Sequence, residues 1–182
     1  EEGIVLLKNN KEALPIAKDR KVAVFGVTSY DFIPGGTGSG DVNRPYTIDL
    51  QEGLVNEGYI IDEAVNSFYH EYMADEKKRC DRINGDNGWQ IDRERALEVV
   101  PSDLIRQAAK TSDCAVITLG RVFGEGKDRN YHYNYLLSND EKKLIDEVSE
   151  AFHAQGKKAN VILNIGGYID AWTWRKKVDG II

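Results

Sequence analysis

Cys114-Ala115-Val116-Ile117-Thr118-Leu119-Gly120 is the stretch on which the fold turns. It is a continuous run of small, apolar and β-branched residues, without the alternation of a strand that keeps one face in water. Such a run fits a strand covered on both faces, as in a parallel sheet. Three further runs have the same character: Lys21-Val22-Ala23-Val24-Phe25-Gly26-Val27, Asn160-Val161-Ile162-Leu163-Asn164-Ile165-Gly166 and Gly180-Ile181-Ile182.

Helical patterns fill the intervals. Ile48 to Asn56 reads as a short helix ended by Gly58, and Ala64 to Ile83 as a longer, highly charged one. Ser102 is placed to cap a helix from Asp103 to Lys110. Ser138-Asn139-Asp140-Glu141 is a capping box, in which serine and glutamate satisfy each other's free backbone donors. Leu144, Ile145, Val148, Ala151 and Phe152 follow as an apolar stripe. Gly156 closes that helix, with Lys157 and Lys158 beside its negative end. Strands alternating with helices predict an α/β layered sandwich, a mostly parallel sheet with helices on both faces. Residues 1–182 read as one such domain. Asn84 to Pro101 fits neither period and reads as a surface excursion.

Composition narrows the class. The chain has 182 residues, 41% hydrophobic and 30% charged, with a net charge of -6. That is ordinary for a globular domain and unsuited to a nucleic-acid partner, since the basic residues are scattered. No apolar run approaches membrane-spanning length, so no membrane partner is expected. The opening residues lack a basic leader and a cleavage site, which points toward the cytoplasm, although the chain starts and stops as though excised from something longer. Ending within a strand, it is expected to lack a further covering helix. Cys80 and Cys114 have no CxxC spacing and read as free thiols. His70, His132 and His153 show no ligand spacing, so no metal site is expected.

Ligands of open α/β sheets bind at the carboxyl ends of strands, and two loops there are unusual. Thr28 to Asp41 holds four glycines in the six residues 35–40. GxGxxG fails because Asp41 stands at the third glycine's place, and the Walker pattern fails after Gly40. Thr37, Ser39 and Asp41 suit a neutral, hydroxyl-rich ligand better than a phosphate; a flexible turn without a ligand fits equally. The second loop, Gly120 to Arg129, places Glu125 between Gly124 and Gly126. Covered by a partner surface, that glutamate would favour its neutral form, as a general acid requires; uncovered, the loop is a solvated charged turn. Asp128 and Arg129 are expected to pair and pin it. Trp172 and Trp174 read as helix-packing aromatics rather than sugar platforms, and Asp75 to Arg79 as a solvated helix face.

In order, these segments resemble one family. Ile4-Val5-Leu6-Leu7-Lys8-Asn9, Ala13-Leu14-Pro15-Ile16 and Lys21 to Gly26 are similar to the opening of the second domain of family 3 β-glucosidases. Gly35 to Asp41 with Tyr46-Thr47-Ile48 resembles its glycine-rich loop, and Gly124-Glu125-Gly126-Lys127-Asp128-Arg129 its GEGxDR loop. Leu137 to Glu141, Leu163 to Gly167, Thr173-Trp174-Arg175 and Val178 to Ile181 continue the series. The resemblance spans nearly the whole chain except roughly 64–100. It implies an α/β sandwich lying against a (β/α)8 barrel, with the active site at their boundary. It implies Glu125 as general acid/base, Ser39 near the sugar and a nucleophilic aspartate on the barrel, which these residues do not include. The implied substrate is a β-linked glucoside, or a related oligosaccharide or aryl glycoside. Hydrolysis would retain configuration, with the two carboxyl groups about 5–5.5 Å apart, and no metal or organic cofactor. The rival readings are a nucleotide-binding domain and a non-catalytic carbohydrate-binding or docking module.

Overall fold

The computed structural model describes residues 3–87, 93–124 and 128–182. Among the described residues six strands form one sheet: β1 (Lys8–Asn9), β2 (Lys21–Phe25), β3 (Ile60–Ile61), β4 (Cys114–Arg121), β5 (Lys158–Ile165) and β6 (Gly180–Ile181). Their order across the sheet is β1-β6-β5-β4-β2-β3. All neighbours are parallel except β1 with β6. Every residue of β4 is buried, which is why the run at Cys114 shows no alternation. Val22, Ala23, Val24 and Phe25 of β2 flank it, equally buried, so the hydrophobic core lies along these two strands.

Four α-helices among the described residues complete the layers: α1 (Leu50–Asn56), α2 (Glu63–Asn84), α3 (Ser102–Thr111) and α4 (Asn139–Ala154). α2, α3 and α4 pack side by side over β2, β4 and β5. The step from β2 to β3 crosses the sheet in the opposite direction, so a right-handed connection carries α1 on the other face. The capping box at Ser138 forms as its sequence predicts, with Glu141 N donating to Ser138 Oγ and Ser138 N to Glu141 Oε2. Leu144, Ile145, Val148 and Phe152 are buried. Each contributes about 1.5–3 kcal/mol of burial free energy, enough to decide which way the helix faces.

Three expectations about local structure are corrected. Ser102 is the first residue of α3 and its cap is Pro101; the serine hydroxyl donates to Glu147 of α4 instead. α2 begins one residue earlier than its pattern, because Asp62 accepts Val65 N–H and caps it. The face from Asp75 to Arg79 is not wholly solvated, since Glu76 is 9% exposed and held by both Arg79 and Leu97 N–H.

That last contact also revises the excursion after α2. Of its described part, 93–101 is sewn onto the domain, with Asn84 bonding both backbone groups of Glu94 and Arg79 bonding the Glu94 carboxylate and the Arg95 carbonyl. Ala96 and Val100 pack against the core. Cys80 and Cys114 are unpaired.

Candidate functional site

The sheet reverses direction between β2 and β4, because β3 follows β2 on one side while β4 lies on the other. Outside the carboxyl ends of two such strands the loops diverge and leave a crevice. Here it is an open cleft of about 960 Å³, whose lining includes Thr28, Ile33, Thr37, Glu98, Gly120 and Glu141.

The loops around this cleft are stitched to one another, and glycines allow it. Thr37 N–H donates to Phe123 O at 2.7 Å, joining the loop after β2 to the loop after β4. The Phe123 ring then lies against Gly36 and Gly166. A Cβ would stand 2.8 Å from the ring at Gly36 and 2.0 Å from it at Gly166. A Cβ on Gly124 would meet Thr37 Oγ1 at 1.7 Å. Asn164 of β5 closes the third side, accepting from Ile33 N–H and donating to Ile33 O. Gly36, Gly124 and Gly166 therefore make room for protein packing in these loops. Helix α1 begins only at Leu50, well after Gly40, so no helix N-terminus stands where a phosphate loop needs one.

Beneath the loops lies a charge cluster that sequence reasoning missed. Arg121, 1% exposed at the end of β4, meets both carboxylate oxygens of Glu141, at 2.5 and 2.8 Å. Arg95 donates to Gly120 O at 2.7 Å, the carbonyl that Arg121 also bonds. Glu98 accepts Val27 N–H at the start of the loop after β2. Burial would raise the Glu141 pKa, but the Arg121 bonds and charge, with Ser138 N–H and Arg95, hold it below the ordinary range. The only signal in the sequence was the capping box, which accounts for Glu141 without its arginine.

Glu98 goes the other way. Burial pushes its pKa up to about 8, with the Glu141 charge adding to this and Val27 N–H, Arg95 and Arg121 opposing it. An acid whose pKa rises on folding binds its proton more tightly in the native state. Stability is then lost as pH climbs from the ordinary glutamate range toward 8. Thermal unfolding of Glu98→Gln and its parent is expected to coincide near pH 4.5. The variant should become the more stable of the two as pH approaches 8, and a gap that is constant with pH contradicts this.

The sequence-predicted residues fall as follows. Glu125, with Gly126 and Lys127, lies outside the described residues. Ser39 sits in the single turn Gly38–Gly40 on the exposed rim. Asp128 is exposed. Arg129 does not pair with Asp128; it donates to Gly166 O at 2.9 Å and Tyr168 O at 3.1 Å, where the end of β5 offers free carbonyls. Trp174 is buried, as a packing residue should be, but in a turn rather than a helix. Trp172 departs from its expected role: it is 74% exposed, with the Arg175 guanidinium 4.0 Å from its ring.

Fold and site together define an open, doubly wound α/β domain whose cleft is framed by three interlocked loops. Comparison with known proteins assigns it more narrowly. Residues 4–182 match the glycosyl hydrolase family 3 C-terminal domain, and the chain belongs to that family. It is 37% identical to beta-glucosidase A of Butyrivibrio fibrisolvens, over 99% of this chain and 23% of that protein. It is 34% identical to a beta-glucosidase of Ruminococcus albus, over 93% of this chain and 17% of that protein. Among solved structures, beta-glucosidase 3B from Thermotoga neapolitana in complex with alpha-D-glucose superposes with a TM-score of 0.87 at 38% identity. That match covers 99% of this chain and 25% of that one. The chain thus spans a quarter or less of these relatives.

Proposed function

We propose that this chain is the α/β domain of a retaining β-glucosidase acting on terminal β-D-glucosyl residues of oligosaccharides or aryl glycosides. Its part in the reaction is to present Glu125 as general acid/base and Ser39 as a sugar contact, with Arg129 supporting the loop through the carbonyls of Gly166 and Tyr168. The nucleophilic aspartate comes from a (β/α)8 barrel elsewhere in the same protein. One observation carries the reading: Thr37 N–H bonded to Phe123 O brings the glycine-rich loop against the residues leading into Glu125.

The chemistry follows from two carboxyl groups. Glu125, protonated, gives its proton to the departing glycosidic oxygen while the aspartate attacks the anomeric carbon. The resulting carboxylate then takes a proton from water, which displaces the aspartate with retained configuration. A 2-deoxy-2-fluoroglucoside with an activated leaving group slows the second step and leaves the nucleophile labelled. In the full-length enzyme, peptide mapping should find that label on an aspartate outside residues 1–182. A label on Glu125 or any other carboxylate of this chain overturns the division of roles.

A further inference from the structure

We propose that the buried Arg121–Glu141 pair is a positioning device for the proton donor, clamping both ends of the loop that carries Glu125. The inference rests on the acid/base reading of Glu125 given above.

A guanidinium has five N–H donors, and Arg121 uses all of them. Nε bonds Asn134 O at 2.9 Å, Nη1 bonds Gly120 O at 2.7 Å and Glu141 Oε1, and Nη2 bonds Leu136 O at 3.2 Å and Glu141 Oε2. Gly120 is the next-to-last residue of β4; Asn134 and Leu136 lie on the returning chain just before α4. The departure and the return are therefore tied to one planar group. Glu141 fixes that group in turn, because the same carboxylate accepts Ser138 N–H at the head of α4. Between the clamped ends, Phe123 O is held by Thr37 and Arg129 by the carbonyls of Gly166 and Tyr168. Glu125 stands two residues from the first of these anchors and four from the second.

Stability alone does not account for such a pair. Replacing a buried ion pair with well-packed apolar residues is often neutral or stabilising, whereas removing one partner is strongly destabilising. A proton donor, by contrast, must be held close to its productive geometry by side chains whose own orientation is locked. Five bonds to one arginine supply that orientation.

The test separates positioning from folding. Glu141→Gln, Arg121→Lys and the double variant Arg121→Met with Glu141→Leu are made in the full-length enzyme. Two substrates are compared: an aryl β-glucoside with a good leaving group, which needs little acid assistance in glycosylation, and cellobiose, which needs it fully. The expected result is a loss of about tenfold or more in kcat/KM for cellobiose, within the range acid catalysis supplies. The loss for the activated glucoside should be several times smaller. The double variant is expected to recover thermal stability without recovering the ratio between substrates. Equal losses on both substrates, or recovery of the ratio in the double variant, would overturn the proposal. Failure of the acid/base reading shows separately, as absence of a glycosyl azide product from Glu125→Ala.

Discussion

Glu125→Ala in the full-length enzyme is expected to lower turnover of cellobiose by about 10²–10⁴-fold, the usual worth of a positioned acid/base group. The substitution removes the proton donor and leaves the nucleophile. Glycosylation then depends on how readily the leaving group departs unaided, so activated aryl glucosides should still form the glycosyl-enzyme quickly. Hydrolysis of that intermediate should stall because no base draws a proton from water. Azide requires no deprotonation and fits the space vacated by the carboxylate. It should restore turnover and give the β-glucosyl azide, with configuration retained if the nucleophile proposed above still attacks first. Asp128→Ala is the control: that side chain is exposed and Arg129 bonds elsewhere, so azide should do nothing for it. An azide product from Asp128→Ala and none from Glu125→Ala would show that the wrong carboxylate has been named.

Why the central strands and the α4 cap were legible in the sequence and the Arg121–Glu141 pair was not follows from how each feature is built. β2, β4, β5 and β6 announce themselves by unbroken apolar runs, which in β2 and β4 match burial on both faces. β1 and β3 do not, being two-residue edge strands with Lys8 and Asn9 in one and an exposed Ile60 in the other. α4 is readable almost to the residue because a capping box is a local device, satisfied by residues three apart. The 93–101 segment has no period because side chains of α2 hold it, Asn84 to Glu94 and Glu76 to Leu97 N–H. The glycine-rich loops stand out by composition, yet what those glycines touch is set by partners distant in sequence, Phe123 for Gly36 and Thr37 for Gly124. The same holds for the charges. Arg121 looks like any polar residue ending a strand, and most of its partners come with the return of the chain at 134–141. Arg129 illustrates the limit of adjacency: the neighbouring Asp128 suggested an ion pair, whereas the carbonyls at the end of β5 are the partners the fold supplies.

Gly26→Ala is expected to be the most damaging single-atom addition at the base of the cleft. Gly26 has a φ of +94°, and a Cβ there would stand 2.4 Å from Thr118 O and 3.0 Å from Thr118 N. Those are backbone atoms of β4, the central strand, paired on one side with β2 and on the other with β5. They cannot give way without breaking the sheet that carries both loops. Gly26 N–H also donates to the buried Tyr69 hydroxyl, so the turn cannot simply rotate to a φ that alanine tolerates. Gly156 isolates the conformational part of this cost, because its φ is +70° and nothing lies within 4 Å of its Cβ position. Gly156→Ala should therefore cost about 1–2 kcal/mol, the penalty of a left-handed conformation for an L-residue. Gly26 joins its φ to a ψ of 130°, outside the left-handed well, so Gly26→Ala should carry at least that penalty and, in addition, overpacking of about 1–3 kcal/mol or more. Amide hydrogen exchange in the full-length protein distinguishes the two. Gly26→Ala should accelerate exchange throughout β2 and β4, whereas Gly156→Ala should confine the change to the turn between α4 and β5. Equal and local effects would mean that β4 yields at Thr118, and that the base of the cleft is softer than its packing indicates.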